Sequence, residues 1–166
     1  MSQIIVRPAR PAEFARIGEI TVAAYSAIEI TGNPVVDGYM DVLRDVASRA
    51  RDAEVLVAAD TADRVLGAVT LVLDAESPLA EYDEPGTVSF RMLAVAPESQ
   101  GKGVGKLLAN HCIARARDIG AHAVLIHSRD TMIKARDIYA KMGFVRHPEI
   151  DFEVEDIKLD GFRKDL

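Results

Sequence analysis

Gly101, Gly103 and Gly105, interleaved with Lys102 and Lys106 in the run Gln100-Gly101-Lys102-Gly103-Val104-Gly105-Lys106, are the residues whose types and spacing first suggest a chemistry. Glycine has no Cβ, so the main chain at these positions can take left-handed angles and come close to an anionic group. A helix starting here adds unpaired N–H donors and the positive end of its dipole, and the two lysines add charge. The combination describes a loop that binds a phosphate with its backbone. A Walker loop needs Gly-Lys followed by Ser or Thr, but Lys102 precedes Gly103 and Lys106 precedes Leu107. A dinucleotide fingerprint needs G-x-G-x-x-G at the start of a βαβ unit, whereas this G-x-G-x-G is separated from Val95 by Ala96-Pro97-Glu98-Ser99-Gln100.

The elements around this loop can be read from apolar periodicity. Ile4 to Val6 reads as a strand closed by Arg7-Pro8, and Pro11 opens a helix to about Tyr25 through Phe14, Ile17, Ile20 and Ala24. Gly32-Asn33-Pro34 breaks the chain, and Tyr39, Val42, Leu43, Val46 and Ala50 mark a second amphipathic helix. Val55 to Ala59 and Val65 to Leu73 read as a hairpin across Asp60 to Arg64. Asp74 to Gly86 reads as an acidic surface loop without a basic residue of its own.

Val88 to Val95 is then a strand, Gly103 to about Ile119 a helix with Val104, Leu107, Leu108, Cys112 and Ala116 on one side, and Ala123 to Ile126 a strand. This unit is expected to be parallel with a right-handed crossover. Thr131 is placed to cap a helix running through Tyr139 to Met142, stopped by Gly143, with Phe144-Val145 a strand and a last strand near Ile157 and Leu159. The order β-α-α-β-β-β-α-β-α-β-β describes one α/β domain over residues 1–166, a mixed sheet with helices on both faces.

A chain of 166 residues with 49% hydrophobic and 28% charged residues can bury an independent core. A net charge of -6 argues against nucleic acid as the main partner, since phosphate neutralisation calls for a basic face. Lysines beside a glycine loop in an acidic chain suggest a small anionic ligand. The single cysteine, Cys112, falls inside a helical pattern and reads as a small buried hydrophobe. His111, His122 and His147 show no ligand spacing, so no metal is expected. The chain has no h-region and no apolar run long enough for a bilayer, which makes the cytoplasm the default compartment.

Gln100, Gly103 and Gly105 also match a Gln/Arg-x-x-Gly-x-Gly/Ala signature, and Ala135-Arg136-Asp137-Ile138-Tyr139-Ala140-Lys141-Met142-Gly143-Phe144 matches Ala-x-x-Leu-Tyr-x-x-x-Gly-Phe. In this order, with these elements between them, the two blocks resemble the Gcn5-related N-acetyltransferase (GNAT) superfamily. The resemblance covers essentially the whole chain. It implies a cytoplasmic transferase, an acyltransferase moving acetyl from acetyl-CoA to a primary amine by direct attack in a ternary complex. It also implies a splayed parallel strand pair, ending at Val95 and near His127, that forms the acyl-CoA cleft.

Carried onto this sequence, the resemblance has the backbone of Leu93, Ala94 and Val95 pair with the pantetheine arm, and Val95 N–H polarise the thioester carbonyl. The loop Gln100, Gly101, Lys102, Gly103, Val104 and Gly105, with Lys106 at its edge, holds the pyrophosphate. Tyr139 becomes the general acid that protonates the departing thiolate, as a phenol near pKa 10 can do. Ala135 opens the downstream block, and Met132 stands where many members place an asparagine toward the CoA arm, so that it packs where they hydrogen-bond.

The strand Ser89-Phe90-Arg91-Met92 has no carboxylate to serve as base. Glu81, Asp83 and Glu84 in the acidic loop, or His127 and Ser128 at the end of the next strand, are the alternatives. That loop would also draw a cationic amine. The acceptor is a small-molecule or protein amine, with neither nucleic acid nor membrane as partner, and a homodimer through helices or C-terminal strands is a reasonable expectation. The rival reading is a non-catalytic acyl-CoA-binding or regulatory module on the same fold.

Overall fold

The computed structural model describes residues 3–27 and 34–166. Its elements run β1 (Ile5–Pro8), α1 (Phe14–Ser26), α2 (Pro34–Arg44), α3 (Val46–Arg49), β2 (Glu54–Ala59), β3 (Val65–Val72), β4 (Thr87–Val95), α4 (Val104–Asp118), β5 (Ala123–Ser128), α5 (Ile133–Lys141), β6 (Val145–Arg146), β7 (Phe152–Val154) and β8 (Ile157–Asp165). The strands form a mixed sheet in the order β1-β2-β3-β4-β5-β8-β6, with β7 paired to β8. Among the described residues only β4 and β5 pair in parallel.

The sheet is covered on both sides, which explains why its central strands are continuous apolar runs. Leu56, Ala58, Val69, Leu71, Val88 and Phe90 pack with Leu108, Cys112 and Ala116 of α4 on one side. Val55, Val57, Ala68, Ala94 and Ala96 pack with Ile17 and Ile20 of α1 and Val46 of α3 on the other. Helix α4 lies close to the sheet because Gly67 has no side chain: a Cβ there would stand 2.8 Å from Ala94 O and 2.9 Å from Val104 Cγ1.

Several expected boundaries move, each for a local reason. Pro11–Glu13 forms a 3-10 turn ahead of α1, held where Glu13 Oε2 accepts from Arg10 N–H. The second helix divides at Asp45, whose side chain accepts from Ser48 N–H at 3.0 Å and starts α3 afresh. Thr131 does not cap α5, since the N-cap is Met132 and makes no side-chain bond. Gly143 does end it in the left-handed conformation, with φ 90. The break expected at Gly32-Asn33 lies outside the described residues.

Strand β4 carries the feature that shapes the site. Thr70 faces Arg91 and Ala68 faces Ala94, so a two-residue step on β3 opposes a three-residue step on β4, which is a bulge. Met92 absorbs it with a left-handed φ of 54. Alternation changes phase there: Val88 and Phe90 point to the α4 side before the bulge, and Leu93 and Val95 do so after it. Met92 itself packs with Met40 and Leu43 of α2. Pairing with β5 stops at Ser89 opposite Leu125, and beyond that point the two strands part.

Candidate active site

Where β4 and β5 separate, a cavity of about 270 Å³ opens between Phe90–Leu93 on one side and Ile126–Arg129 on the other. Tyr139 and Met132 line it from α5 and the turn before it, Tyr25 and Tyr39 from α1 and α2, and Phe152, Ile157 and Leu159 from the β7–β8 hairpin.

The open edge of β4 follows from its pairing with β3. Ala96 N–H donates to Leu66 O at 2.8 Å, and amides of an antiparallel strand point alternately to its two edges. Ala94 therefore shares the β3 side with Ala96, and the Val95 N–H points to the edge that β5 has left. Leu93 has the same parity, at the end of the bulge. Ala94 turns its buried methyl to the α1 side.

The glycine loop follows directly. Gly101 and Gly103 are left-handed, with φ 76 and 78 and open space where a Cβ would stand. Gly103 is the N-cap of α4 and its carbonyl accepts from Leu107 N–H at 3.0 Å, so the amides of Val104, Gly105 and Lys106 have no partner within the helix. Gly105 departs from expectation. It sits within α4 without a positive φ, and a Cβ there would lie 3.4 Å from Leu93 Cδ2 and 3.6 Å from Val95 Cγ2. A Cβ would fit there at ordinary contact distance. Val104 is buried, Gln100 and Lys106 are exposed, and the Lys102 ammonium donates to Glu98 O at 2.9 Å.

Tyr139 is 7% exposed and packs edge-on against Phe90 and Phe144, each with ring centroids 5.8 Å away. Burial pushes its hydroxyl well above the ordinary value for a phenol, so it is held protonated. Ala135, four residues before Tyr139 on α5, packs against the same core, and Cys112 is buried, its thiol also pushed up by burial.

The acidic loop is not the unbalanced negative surface its sequence suggests. Glu84 pairs with Arg163 at 2.7 Å and His122 at 3.0 Å. Glu81 turns into the cavity, with Oε1 3.0 Å from Arg91 and Oε2 3.1 Å from His127 Nδ1. Burial opposes charge on Glu81, but the hydrogen bond from His127 and the charges of Arg91 and His127 outweigh it and hold the carboxyl below its ordinary value. His127 Nε2 donates to Ile150 O at 2.7 Å. A carbonyl only accepts, so Nε2 carries a hydrogen, and the contact between Nδ1 and the carboxylate is held by one further proton.

Glu81 and His127, alternatives in the sequence, are thus neighbours here. Ser128 also lines the cavity, whereas Asp83 does not. Arg91 and the β7–β8 hairpin went unforeseen, although an arginine inside an otherwise apolar strand was a signal. Among the described residues no cluster of His, Cys, Asp and Glu could hold a metal ion, and no helix is long and apolar enough to cross a membrane.

The sequence model of the Acetyltransferase (GNAT) family matches residues 19–144, from α1 to the end of the downstream block. The chain belongs to the GNAT family. Among curated relatives, this GNAT chain is 31% identical over 107 residues to the mycothiol acetyltransferase of Pseudarthrobacter chlorophenolicus, a match covering 61% of the chain and 32% of that protein. The chain thus spans about a third of that relative's length. Among solved structures it resembles a histone acetyltransferase HPA2-related acetyltransferase from Corynebacterium glutamicum, with TM-score 0.74, 21% identity and coverage of 99% and 96%. It also resembles yncA from Salmonella typhimurium, whose structure was determined with its cofactor acetyl-CoA, with TM-score 0.66, 22% identity and coverage of 99% and 95%. These neighbours share the fold.

Proposed function

We propose that this GNAT chain transfers acetyl from acetyl-CoA to a primary amine by direct attack in a ternary complex, with Tyr139 as general acid. The observation that carries the reading is the Val95 N–H on the unpaired edge of a strand that leads into the left-handed glycine loop, with Tyr139 on the wall of the same cavity. The backbone around Leu93 and Val95 offers hydrogen bonds to an extended pantetheine arm, and the free amides of Val104 to Lys106 suit a pyrophosphate. The name borne by the relatives, mycothiol acetyltransferase, supports acetyl as the group moved.

Attack of a neutral amine on a thioester carbonyl makes a C–N bond and places negative charge on the oxygen. Val95 N–H, fixed by the strand, stabilises that charge where it develops. Collapse breaks the C–S bond, the Tyr139 hydroxyl gives its proton to the departing sulfur, and the proton shed by the new amide nitrogen restores the phenol. The incoming ammonium must first lose a proton, and the Glu81–His127 pair, in its form lacking the shared proton, takes it. Cys112, buried in α4 away from the cavity, supplies no acyl-enzyme.

The test is release of free thiol when the purified protein meets acetyl-CoA and a panel of amines, repeated with Tyr139→Phe. Turnover that falls sharply in the variant supports the reading. Thermal stabilisation by acetyl-CoA without turnover on any amine points instead to a binding module.

A further inference from the structure

The acceptor half of the cavity has its own chemistry, and with the acetyl-transfer reading as its basis we propose that the acceptor is a monoamine on an aromatic or branched apolar body, with no second cationic centre. Beyond the β4–β5 opening the walls are rings and aliphatic chains. Tyr25 and Tyr39 meet edge-on at 6.1 Å, Phe152 stands edge-on to His127 at 4.9 Å, and Ile157 and Leu159 of the hairpin face the same space. Burial holds the Tyr25 hydroxyl well above its ordinary value, so that ring adds no charge.

Glu81 is the only carboxylate among the described lining residues, and both of its oxygens are engaged, one by Arg91 and the other by His127. Arg91 and Arg129 add positive charge to the same walls. A diamine, polyamine or aminoglycoside bound here would bring a second ammonium to a site with no carboxylate left to receive it, and a desolvated unpaired charge is costly. A single amino group needs only the exchange of its proton with the Glu81–His127 pair, and its apolar remainder gains from leaving water.

The test compares 2-phenylethylamine and isopentylamine with putrescine, spermidine and kanamycin. Acetylation is followed by thiol release, and binding of each amine is followed by calorimetry with and without CoA, so that preference is measured whether or not acetyl is transferred. The expected result is at least tenfold higher kcat/KM, and tighter binding, for the apolar monoamines. Ile157→Glu, which adds a second carboxylate to the lining of the cavity, should narrow that ratio by raising activity or binding with putrescine. Equal or better use or binding of the polycations by the unaltered protein overturns the acceptor inference and leaves acetyl transfer standing. Absence of thiol release with every amine overturns the transfer reading, and the binding order then decides the acceptor inference by itself.

Discussion

His127 Nδ1 lies 3.1 Å from the Glu81 carboxylate, although the two residues come from a loop and from the end of a strand on opposite sides of the glycine-loop helix in sequence. The strand that leads into that loop has no acid of its own, and the fold supplies one by laying the preceding loop across Arg91, whose guanidinium also donates to Leu79 O at 3.0 Å.

Glu81→Gln removes the charge and keeps the shape. Thiol release should fall about 10²-fold in kcat with little change in the KM for acetyl-CoA. Because the folded carboxyl titrates below its unfolded value of 4.5, its contribution to stability is full above that pH and is lost as pH falls through the lower folded value. The variant should therefore show a shallower loss of stability below about pH 4.5 in acid unfolding, and an unchanged acid profile would contradict the pairing.

Tyr139→Phe keeps the ring that packs between Phe90 and Phe144 and removes only the hydroxyl. Its kcat should drop about 10²-fold or more, with folding and acetyl-CoA binding retained. The raised phenol pKa gives a second readout: the folded state keeps its proton while an unfolded tyrosine ionises near 10, so stability is lost as pH rises above that value. The phenylalanine variant should lose less stability between about pH 10 and 11.

Gly103→Ala and Gly105→Ala separate two uses of glycine. The first forces a side chain onto φ 78 and should cost roughly 1 kcal/mol of stability while raising the KM for acetyl-CoA. The second enters a helix at ordinary contact distance from Leu93 and should be neutral or stabilising by up to about 1 kcal/mol. Urea unfolding of both variants reads the contrast.

Asp151 ties the C-terminal strands together. It accepts two bonds from Arg146, at 2.8 and 2.7 Å, and one from Gly161 N–H at 2.6 Å. The Arg146 guanidinium holds its carboxyl at about 2. Asp151→Asn should cost about 1 kcal/mol at pH 7. That difference should fade as pH falls from 3.8 toward 2, and equal denaturation midpoints at pH 7 would refute the tie.

The glycine loop and the Tyr139 block were legible because each is a contiguous run whose spacing carries its geometry. The balance of the acidic loop was not, since the partners of Glu81 and Glu84 are His127 and Arg163, brought near only by the sheet. Strand β7 escaped for a different reason. Its hairpin turns through Glu155 and Asp156, with φ 43 and 67, where a glycine or asparagine would have signalled it. The division of the second helix rested on Asp45, which reads as one more polar residue on an amphipathic face until its side chain is seen to accept from Ser48 N–H.

The extra residue at Met92 makes the length of β4 matter as much as its composition. Point substitutions in that strand change a wall or a contact, but removing Met92 would erase the bulge and leave a regular strand, with Leu93 and Val95 still on the α4 side beside Val88 and Phe90. The strand could then run on beside β5, and the edge that carries the Val95 amide would be filled by its neighbour. The fold tolerates one left-handed residue of ordinary size in a central strand, and that residue keeps two strands apart.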